Sequence, residues 1–234
     1  GIKSTCFGFV GGFTGAAIES FLNDKGIDCD FVKIAGNTRI NVKLNDTDIN
    51  ATGPQISSDN LTELFKKLDA LKDGDFLVLS GSVPKSLPQD VYEDIIRRLG
   101  DKINFVVDAE KDLLLGTLKY KPFLIKPNHH ELGEIFETEI TDFKSAVMYA
   151  GKMHNMGAQN VMVTLGEKGA VLIDENSNNK YEAETERIAF IDTVIRPVKI
   201  VNDSLPELLK YDMKDTISCL SRDMEYTLNV FREK

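Results

Sequence analysis

One stretch, residues 123–132, limits most strongly what this chain can fold into. Residues 123–125 (Phe-Leu-Ile) form a short apolar run, which is typical of a strand covered on both faces. The run stops at Pro127, because proline has no N–H to donate to a strand ladder. Asn128 follows, and asparagine is a preferred residue at the start of a helix. The stretch therefore predicts a buried strand that turns directly into a helix.

Three polar side chains follow this predicted strand: Lys126, Asn128 and Glu131. In an open α/β sheet, ligands bind beyond the carboxyl ends of the strands, so these side chains would reach a ligand together. A lysine can meet a phosphate, and a carboxylate can hold a magnesium ion directly or through water. The spacing alone leaves open an ordinary strand–helix turn with solvated polar residues.

Strand-like and helix-like segments alternate through most of the chain. The predicted strands are 5–10, 76–79, 104–107, 123–125, 160–164 and 170–174, and the predicted helices include 58–71, 89–99 and 142–156. A further helix after residue 15 ends at Gly26, as helices often do at glycine. This alternation predicts an α/β fold, with a mostly parallel sheet and helices on both faces.

Residues 29–51 differ in character and predict a small β lid. Two strand-like runs, 31–35 and 38–44, meet at the dipeptide 36–37 (Gly-Asn), which favours a hairpin turn. Residues 45–46 (Asn-Asp) turn the chain once more.

One face of the second lid strand carries Arg39, Asn41 and Lys43, because side chains alternate along a strand. Two cations and an amide on one face suit a phosphorylated ligand. The alternative is the solvent face of a small sheet.

After about residue 192 the pattern changes. Residues 195–201 are strand-like but are broken by Pro197. Apolar residues then recur at three- and four-residue steps from Met213 to Phe231, which predicts a long amphipathic helix. The helix could pack on this domain or form a seam with a partner helix.

Overall charge and cysteine usage exclude some classes of protein. The net charge of −9 argues against a general nucleic-acid-binding protein, which needs a basic surface. No apolar run approaches the length of a membrane span, and the start is not that of a signal peptide. Cys6, Cys29 and Cys219 are far apart and lack C-x-x-C spacing, which suits a reducing compartment. We therefore expect a cytoplasmic protein that does not bind membranes.

Three familiar site motifs are not matched. The glycines at 8, 11, 12 and 15 do not have the G-x-G-x-x-G spacing of dinucleotide-binding proteins. The pair His129 and His130 invites a zinc interpretation, but an H-E-x-x-H helix would need histidine where Glu134 stands. No G-x-x-x-x-G-K-[ST] loop is present, so a P-loop mechanism is excluded.

Five short motifs appear in a recognisable order: GFVGGFTG (8–15), TRINVK (38–43), LSGSVP (79–84), KPNxxE (126–131) and TLGxxG (164–169). Together they resemble the phosphofructokinase B branch of the ribokinase-like carbohydrate kinases. The similarity is greatest to 1-phosphofructokinases and tagatose-6-phosphate kinases, and it covers roughly residues 1–193.

The resemblance implies an ATP- and Mg²⁺-dependent transfer of the γ-phosphoryl group to a hydroxyl of a sugar phosphate. It assigns Arg39, with Asn41, to the sugar phosphate, and Glu131 to magnesium. It assigns Ser80, Gly81 and Ser82 to the sugar cleft, and Lys126, Asn128, Thr164, Gly166 and Gly169 to the nucleotide. In the family such lids pair between subunits, so a homodimer is expected.

The sequence departs from the family in two places. Family members begin with further strands, and this chain starts after them. Where the family has Gly-Ala-Gly-Asp-Ser, with its catalytic aspartate, this chain has Ile195-Arg196-Pro197. The downstream tripeptide Asn202-Asp203-Ser204 makes Asp203 the candidate base.

These features predict three regions. Residues 1–28 and 52–194 form an incomplete ribokinase-like core, 29–51 the β lid, and 195–234 a divergent and mostly helical segment. The alternatives to an active kinase are a non-catalytic module that binds nucleotide or sugar phosphate, and an inactive fragment of such a kinase.

Overall fold

The structure is a computed structural model that describes residues 4–44, 47–174 and 180–183. It divides into two compact units. The first comprises Gly1–Lys72 and Val83–Val91, and the second comprises Asp73–Ser82 and Tyr92–Lys234. Asp203 and the predicted C-terminal strand and helix lie outside the described residues.

Among the described residues, the first unit has six short strands and two α-helices. Its elements are β1 (Thr5–Cys6), β2 (Phe9–Val10), α1 (Gly12–Asp24), β3 (Asp28–Cys29), β4 (Val32–Lys33), β5 (Asn41–Leu44), β6 (Thr47–Asn50) and α2 (Ser58–Leu68). The strands pair as β1 with β3 and β2 with β4, both parallel, and β5 with β6, antiparallel. The predicted strand 5–10 is thus two short strands.

The pairing corrects the predicted lid. β4 runs parallel to β2 and does not form a hairpin with the following strand, so the hairpin predicted at residues 36–37 is wrong. The antiparallel pair is β5 with β6 instead. β5 begins at Asn41, so Arg39 precedes the strand, and a strand face shared by these two residues stays a prediction. The boundary of a lid at residue 29 also stays a prediction.

The described part of the second unit is built on a six-stranded sheet. Its elements are β7 (Phe76–Ser80), α3 (Val91–Leu99), β8 (Asn104–Asp108), α4 (Lys111–Thr117), β9 (Leu124–Ile125), α5 (His129–Phe136), α6 (Phe143–Asn155), β10 (Asn160–Thr164), β11 (Ala170–Ile173) and β12 (Lys180–Ala183). The strand order is β12-β11-β10-β9-β8-β7. β7 to β10 are parallel, and β11 and β12 are antiparallel additions. This confirms the α/β class with a mostly parallel sheet.

The core of the second unit lies where β8–β11 meet α4–α6. Its fully buried side chains include Val107, Ile125, Leu132, Met153, Val161, Val163 and Val171. β8, β9 and β10 are buried almost throughout, as their continuous apolar runs predict. The remaining parallel strand, β7, alternates: Leu77 and Leu79 are buried, whereas Phe76 and Val78 are exposed. Helix α4 was not predicted from the sequence.

In the part of the chain that the structure describes, none of the helices has the length and apolar character that crossing a membrane requires.

Candidate active site

The candidate site lies at the carboxyl edge of the parallel strands. β7 ends at Ser80 and β8 at Asp108, and these two residues are direct partners in the sheet. Lys126 follows β9, and β10 ends at Thr164. A bridge between Asn128 and Thr164 continues the parallel pairing beyond β9. Residues predicted from separate motifs are therefore brought to one edge, where ligands of α/β sheets bind.

Ser80, Gly81 and Ser82 form the turn that follows β7. The Gly81 N–H donates to the carbonyl oxygen of Asp108 (3.0 Å). The Tyr92 hydroxyl donates to the carbonyl oxygens of Ser80 (2.9 Å) and Gly81 (3.2 Å). Gly81 has φ +89°, and a Cβ built on it meets no atom within 4 Å. The turn is thus held from the protein side, and its glycine leaves room for a ligand to approach the backbone.

Asp108 and Lys126 form a buried ion pair across the ends of β8 and β9. Lys126 Nζ lies 3.3 Å from Asp108 Oδ1, and the two side chains are 10% and 1% exposed. Buried charges are costly unless they are paired, so each group holds the other in place. In the structure, Asp108 is the ion-pair partner of Lys126. The role of Lys126 at the nucleotide phosphates stays a prediction.

Asn128 and Glu131 bind each other at the start of α5. Asn128 Oδ1 accepts from the Glu131 N–H (2.9 Å), and Glu131 Oε2 accepts from the Asn128 N–H (3.0 Å). This reciprocal arrangement is a capping box, and it confirms that Asn128 starts the helix. The cap uses the amide oxygen of Asn128 and leaves the amide nitrogen outside it.

The turn between β10 and β11 contains the three residues predicted under the nucleotide. Thr164 N–H donates to the carbonyl oxygen of Pro127 (3.2 Å), which ties the turn to the segment that follows β9. Gly166 has φ +58°, and no atom lies within 4 Å of a Cβ built on it. Gly169 has φ +108°, and its carbonyl oxygen accepts from the Leu165 N–H (2.7 Å). The exposed backbone at Gly166 therefore has room for a ligand.

Two side chains that the sequence did not assign to the nucleotide hold this turn. His129 Nδ1 lies 3.3 Å from the carbonyl oxygen of Thr164, and Lys168 Nζ donates to the carbonyl oxygen of Thr141 (2.7 Å). Burial lowers the pKa of His129, and the neighbouring His130 lowers it further. A neutral His129 donates from Nδ1 to Thr164, so the ring supports the turn.

A cavity of about 570 Å³ opens beside His129 and the β10–β11 turn. Its lining residues are His129, His130, Gly133, Glu134, Glu137, Thr138, Glu139, Ile140, Thr141, Leu165 and Lys168. None of the residues predicted to bind nucleotide or metal lines it, but His129, Leu165 and Lys168 place it next to the turn between β10 and β11.

The predicted sugar-phosphate residues Arg39 and Asn41 belong to the first unit. Both are exposed. Thr38, directly before Arg39, is bound to the start of α1 by hydrogen bonds from both its backbone and its side chain. Its Oγ1 accepts from the Gly11 N–H (2.9 Å), its N–H donates to the Gly11 carbonyl oxygen (2.9 Å), and its carbonyl oxygen accepts from Thr14 Oγ1 (2.8 Å). These contacts fix the backbone from which Arg39 projects.

The glycines of this turn leave no space for side chains. A Cβ at Gly11 would lie 2.3 Å from the Gly36 carbonyl oxygen, and one at Gly12 would lie 1.7 Å from Asn37 Oδ1. Gly12 also has φ +60°. Glycine is therefore required where the start of α1 packs against residues 36–38.

Comparison with known proteins identifies the class. Residues 1–194 match the family described as pfkB family carbohydrate kinase, and the chain belongs to that family. The fold and the row of residues at the carboxyl edge agree with this membership, and the resemblance inferred from the five motifs is confirmed.

Curated relatives carry specific names. A 1-phosphofructokinase of Bacillus subtilis is 43% identical over 175 residues, covering 73% of this chain and 58% of the relative. A D-tagatose-1-phosphate kinase of Bacillus licheniformis is 34% identical over 193 residues, covering 80% of this chain and 64% of the relative. The chain thus spans about three fifths of the length of these relatives.

Solved structures show the same architecture. The crystal structure of phosphofructokinase-2 from Escherichia coli in complex with potassium is 25% identical, with a TM-score of 0.71. The alignment covers 83% of this chain and 65% of that one.

Proposed function

We propose that this chain transfers the γ-phosphoryl group of ATP to a hydroxyl of a sugar phosphate, as a kinase of the 1-phosphofructokinase or tagatose-phosphate kinase type. The observation that carries the proposal is the row of Ser80, Asp108, Lys126, Asn128 and Thr164 along one sheet edge. The names of the relatives supply the reaction class.

The proposed nucleotide site combines a cation, an amide and an open turn. In this proposal, the Asn128 amide nitrogen and the backbone N–H at Gly166 donate to phosphate oxygens. Lys126 contributes positive charge, held in position by Asp108. The turn at residues 80–82 lines the sugar cleft, and Arg39 with Asn41 takes the phosphate already on the sugar.

Magnesium is the expected companion of ATP in this site. Of the described residues, no three or more His, Cys, Asp or Glu side chains are grouped to hold a metal by themselves. Mg²⁺ typically uses one or two carboxylates and takes its other ligands from water and phosphate, which fits Glu131. When bound, the ion neutralises charge on the β- and γ-phosphates.

A second candidate function is nucleotide or sugar-phosphate binding without turnover, and a third is an inactive fragment. The feature that favours them is Ile195-Arg196-Pro197, which stands where the family has its Gly-Ala-Gly-Asp motif. Asp203 is the proposed base if the chain is active. Loss of a general base typically costs about 10²–10⁴-fold in rate.

Calorimetric titration with Mg·ATP, beside a coupled assay of ADP release, separates these functions. The acceptors are fructose 1-phosphate, fructose 6-phosphate, tagatose 6-phosphate and tagatose 1-phosphate. Turnover that is lost in Asp203→Asn and kept in the control Asp215→Asn supports the kinase with Asp203 as base. Mg·ATP binding without turnover supports the binding module, and no binding supports the fragment.

Arg39→Ala tests the sugar-phosphate assignment. A charge-assisted hydrogen bond is worth roughly 1.5–3 kcal/mol, so sugar-phosphate affinity should fall about ten- to a hundred-fold. Mg·ATP affinity should hardly change. Arg97→Ala, at an exposed arginine paired with Asp94 on α3, is the control. Equal losses for both ligands would show that Arg39 acts through folding.

We also propose that the chain forms a homodimer through β5 and β6. A two-stranded antiparallel pair is marginally stable alone, and pairing with a second copy would extend it. Sedimentation velocity of the full chain tests this, and a monomer at micromolar concentration would refute it. A cytoplasmic location stays a prediction.

A further inference from the structure

We infer that Cys6 and Cys29 form an oxidation site, at which a small-molecule disulfide of the glutathione type converts the two thiols into a reversible intramolecular disulfide. The two cysteines are far apart in sequence, yet they are direct partners in the parallel pair of β1 and β3. Side chains of paired residues leave the same face of a sheet. Nothing in the proposed kinase reaction uses them.

The spacing of the strands permits the bond. Neighbouring strands lie about 4.7–4.9 Å apart, inside the Cα separation of roughly 4.4–6.8 Å that disulfides span. The Cβ atoms of a disulfide must approach to about 3.8 Å, so the strands have to draw together slightly. Each strand is two residues long, and the Asp30 N–H donates to the Cys6 carbonyl oxygen (2.9 Å), which keeps them adjacent.

Neither cysteine is in a disulfide, and both are half-buried, so a small oxidant can reach them. A disulfide that strains its strands is more easily reduced than a structural one. The expected bond is therefore a reversible modification, in keeping with a reducing compartment.

The exchange proceeds in two balanced steps. The Cys6 thiolate attacks one sulfur of the small-molecule disulfide, breaks its S–S bond and releases one thiolate. The Cys29 sulfur, on losing its proton, then attacks the Cys6 sulfur of the mixed disulfide and expels the second thiolate. The two protein thiols lose two electrons and two protons, the small disulfide gains two electrons, and the protons pass to the released thiolates.

The surroundings of Cys29 set the order of these steps. Burial raises the pKa of its thiol, the carboxylates of Glu19 and Asp28 add to the rise, and Lys33 opposes it. A thiol with a raised pKa is a poor first attacker, because the thiolate is the nucleophile. Cys29 therefore resolves the mixed disulfide formed at Cys6.

The bond would close a loop from residue 6 to residue 29, which contains β2, α1 and the glycine turn that holds Thr38. Closing a loop of this size stabilises a fold chiefly by restricting the unfolded chain. Oxidation should therefore raise the thermal midpoint of unfolding by several degrees.

The test uses the full reduced chain, incubated with glutathione disulfide, quenched by alkylation and mapped by peptide mass. The wild type and Cys219→Ser should both yield a linked Cys6–Cys29 peptide pair, a higher thermal midpoint, and full reversal by dithiothreitol. Cys6→Ser and Cys29→Ser should not cross-link, and Cys29→Ser should retain glutathione on Cys6.

Two results would overturn the inference. One is a link from either cysteine to Cys219 or to a second chain in place of the internal bond. The other is wild-type protein that retains glutathione on Cys6 to the same extent as Cys29→Ser, because Cys29 would then have failed to resolve the mixed disulfide.

Discussion

The predicted ligand residues of the two units are held in different ways. In the second unit, Lys126 extends from a strand buried between two others, and the helix that carries Glu131 packs its Leu132 into the core at 0% exposure. In the first unit, Arg39 follows Thr38, which depends on hydrogen bonds to the glycine turn that joins the two-residue strand β2 to α1. The residues of the second unit are held by the burial of apolar side chains. Arg39 is held by a tightly packed glycine turn and by the hydroxyl group of Thr38. We therefore expect different substitutions to disrupt the predicted ligand residues of the two units.

Leu132→Ala should have the largest effect, because it empties a fully buried position on α5. A cavity of this kind costs about 2–5 kcal/mol of the free energy of unfolding. Urea denaturation measures the loss, and Mg·ATP affinity should fall with it, since α5 carries Asn128 and Glu131. Met148→Ala on α6, where the side chain is 52% exposed, is the control and should change little. Equal losses of unfolding free energy in the two variants would show that α5 does not depend on the burial of Leu132.

Gly12→Ala should destabilise the first unit. Gly12 has φ +60°, and the new Cβ would lie 1.7 Å from Asn37 Oδ1. Left-handed backbone costs a non-glycine residue roughly 1–2 kcal/mol, and overpacking adds about 1–3 kcal/mol. Gly26→Ala is the matched control, because Gly26 has φ +73° and its Cβ would meet nothing within 4 Å. The difference between the unfolding free energies of the two variants measures the cost of the close contact with Asn37. A difference near zero would show that this contact costs nothing.

Thr38→Val should have a smaller and more selective effect. It removes the acceptor of the Gly11 N–H and leaves that donor unpaired, at a cost of about 1 kcal/mol or more. Sugar-phosphate affinity should fall more than Mg·ATP affinity, because Arg39 is the next residue. Thr38→Ser keeps the hydroxyl and should restore both stability and affinity. Failure of serine to restore them would assign the effect to the lost packing.

The smallest effect concerns pH. Burial lowers the pKa of His129 below the ordinary value of about 6.5, so below that pH the unfolded chain binds more protons than the folded one. The stability contributed by His129 is therefore full above about pH 6.5 and is lost as the pH falls through the folded-state pKa. His129→Gln should reduce the pH dependence of the thermal midpoint between about pH 7 and 5. His154→Gln is the control. It should leave unchanged the part of the pH dependence of the thermal midpoint that comes from His129.

Sequence patterns predicted the second unit better than the first. Continuous apolar runs located β8, β9 and β10, because a strand covered on both faces needs apolar side chains throughout. Asn128 likewise predicted the start of α5, because an asparagine side chain can accept a hydrogen bond from the first turn of a helix. These signals lie within a few consecutive residues, so one sequence is enough to read them.

Pairing between distant segments was harder to predict. The dipeptide Gly36–Asn37 favours a hairpin locally, but Val32 and Lys33 pair in parallel with β2, so tertiary pairing overrides the turn signal. Tyr92, His129 and the Asp108–Lys126 pair were likewise not assigned, because each acts on a partner from another element. The register that sets Cys6 opposite Cys29 has no sequence signature at all.

In the proposed site, a cation would compete with the hydrogen bond that caps α5 for the carboxylate of Glu131. Glu131 Oε2 already accepts the Asn128 N–H, so a cation that draws this oxygen away leaves a backbone donor at the helix start without its acceptor. If Glu131 binds the proposed cation through this oxygen, the affinity for the cation would include the free energy of opening the cap. An anion arriving with the cation could accept the released N–H, which makes the two ligands mutually reinforcing: each would bind more tightly in the presence of the other.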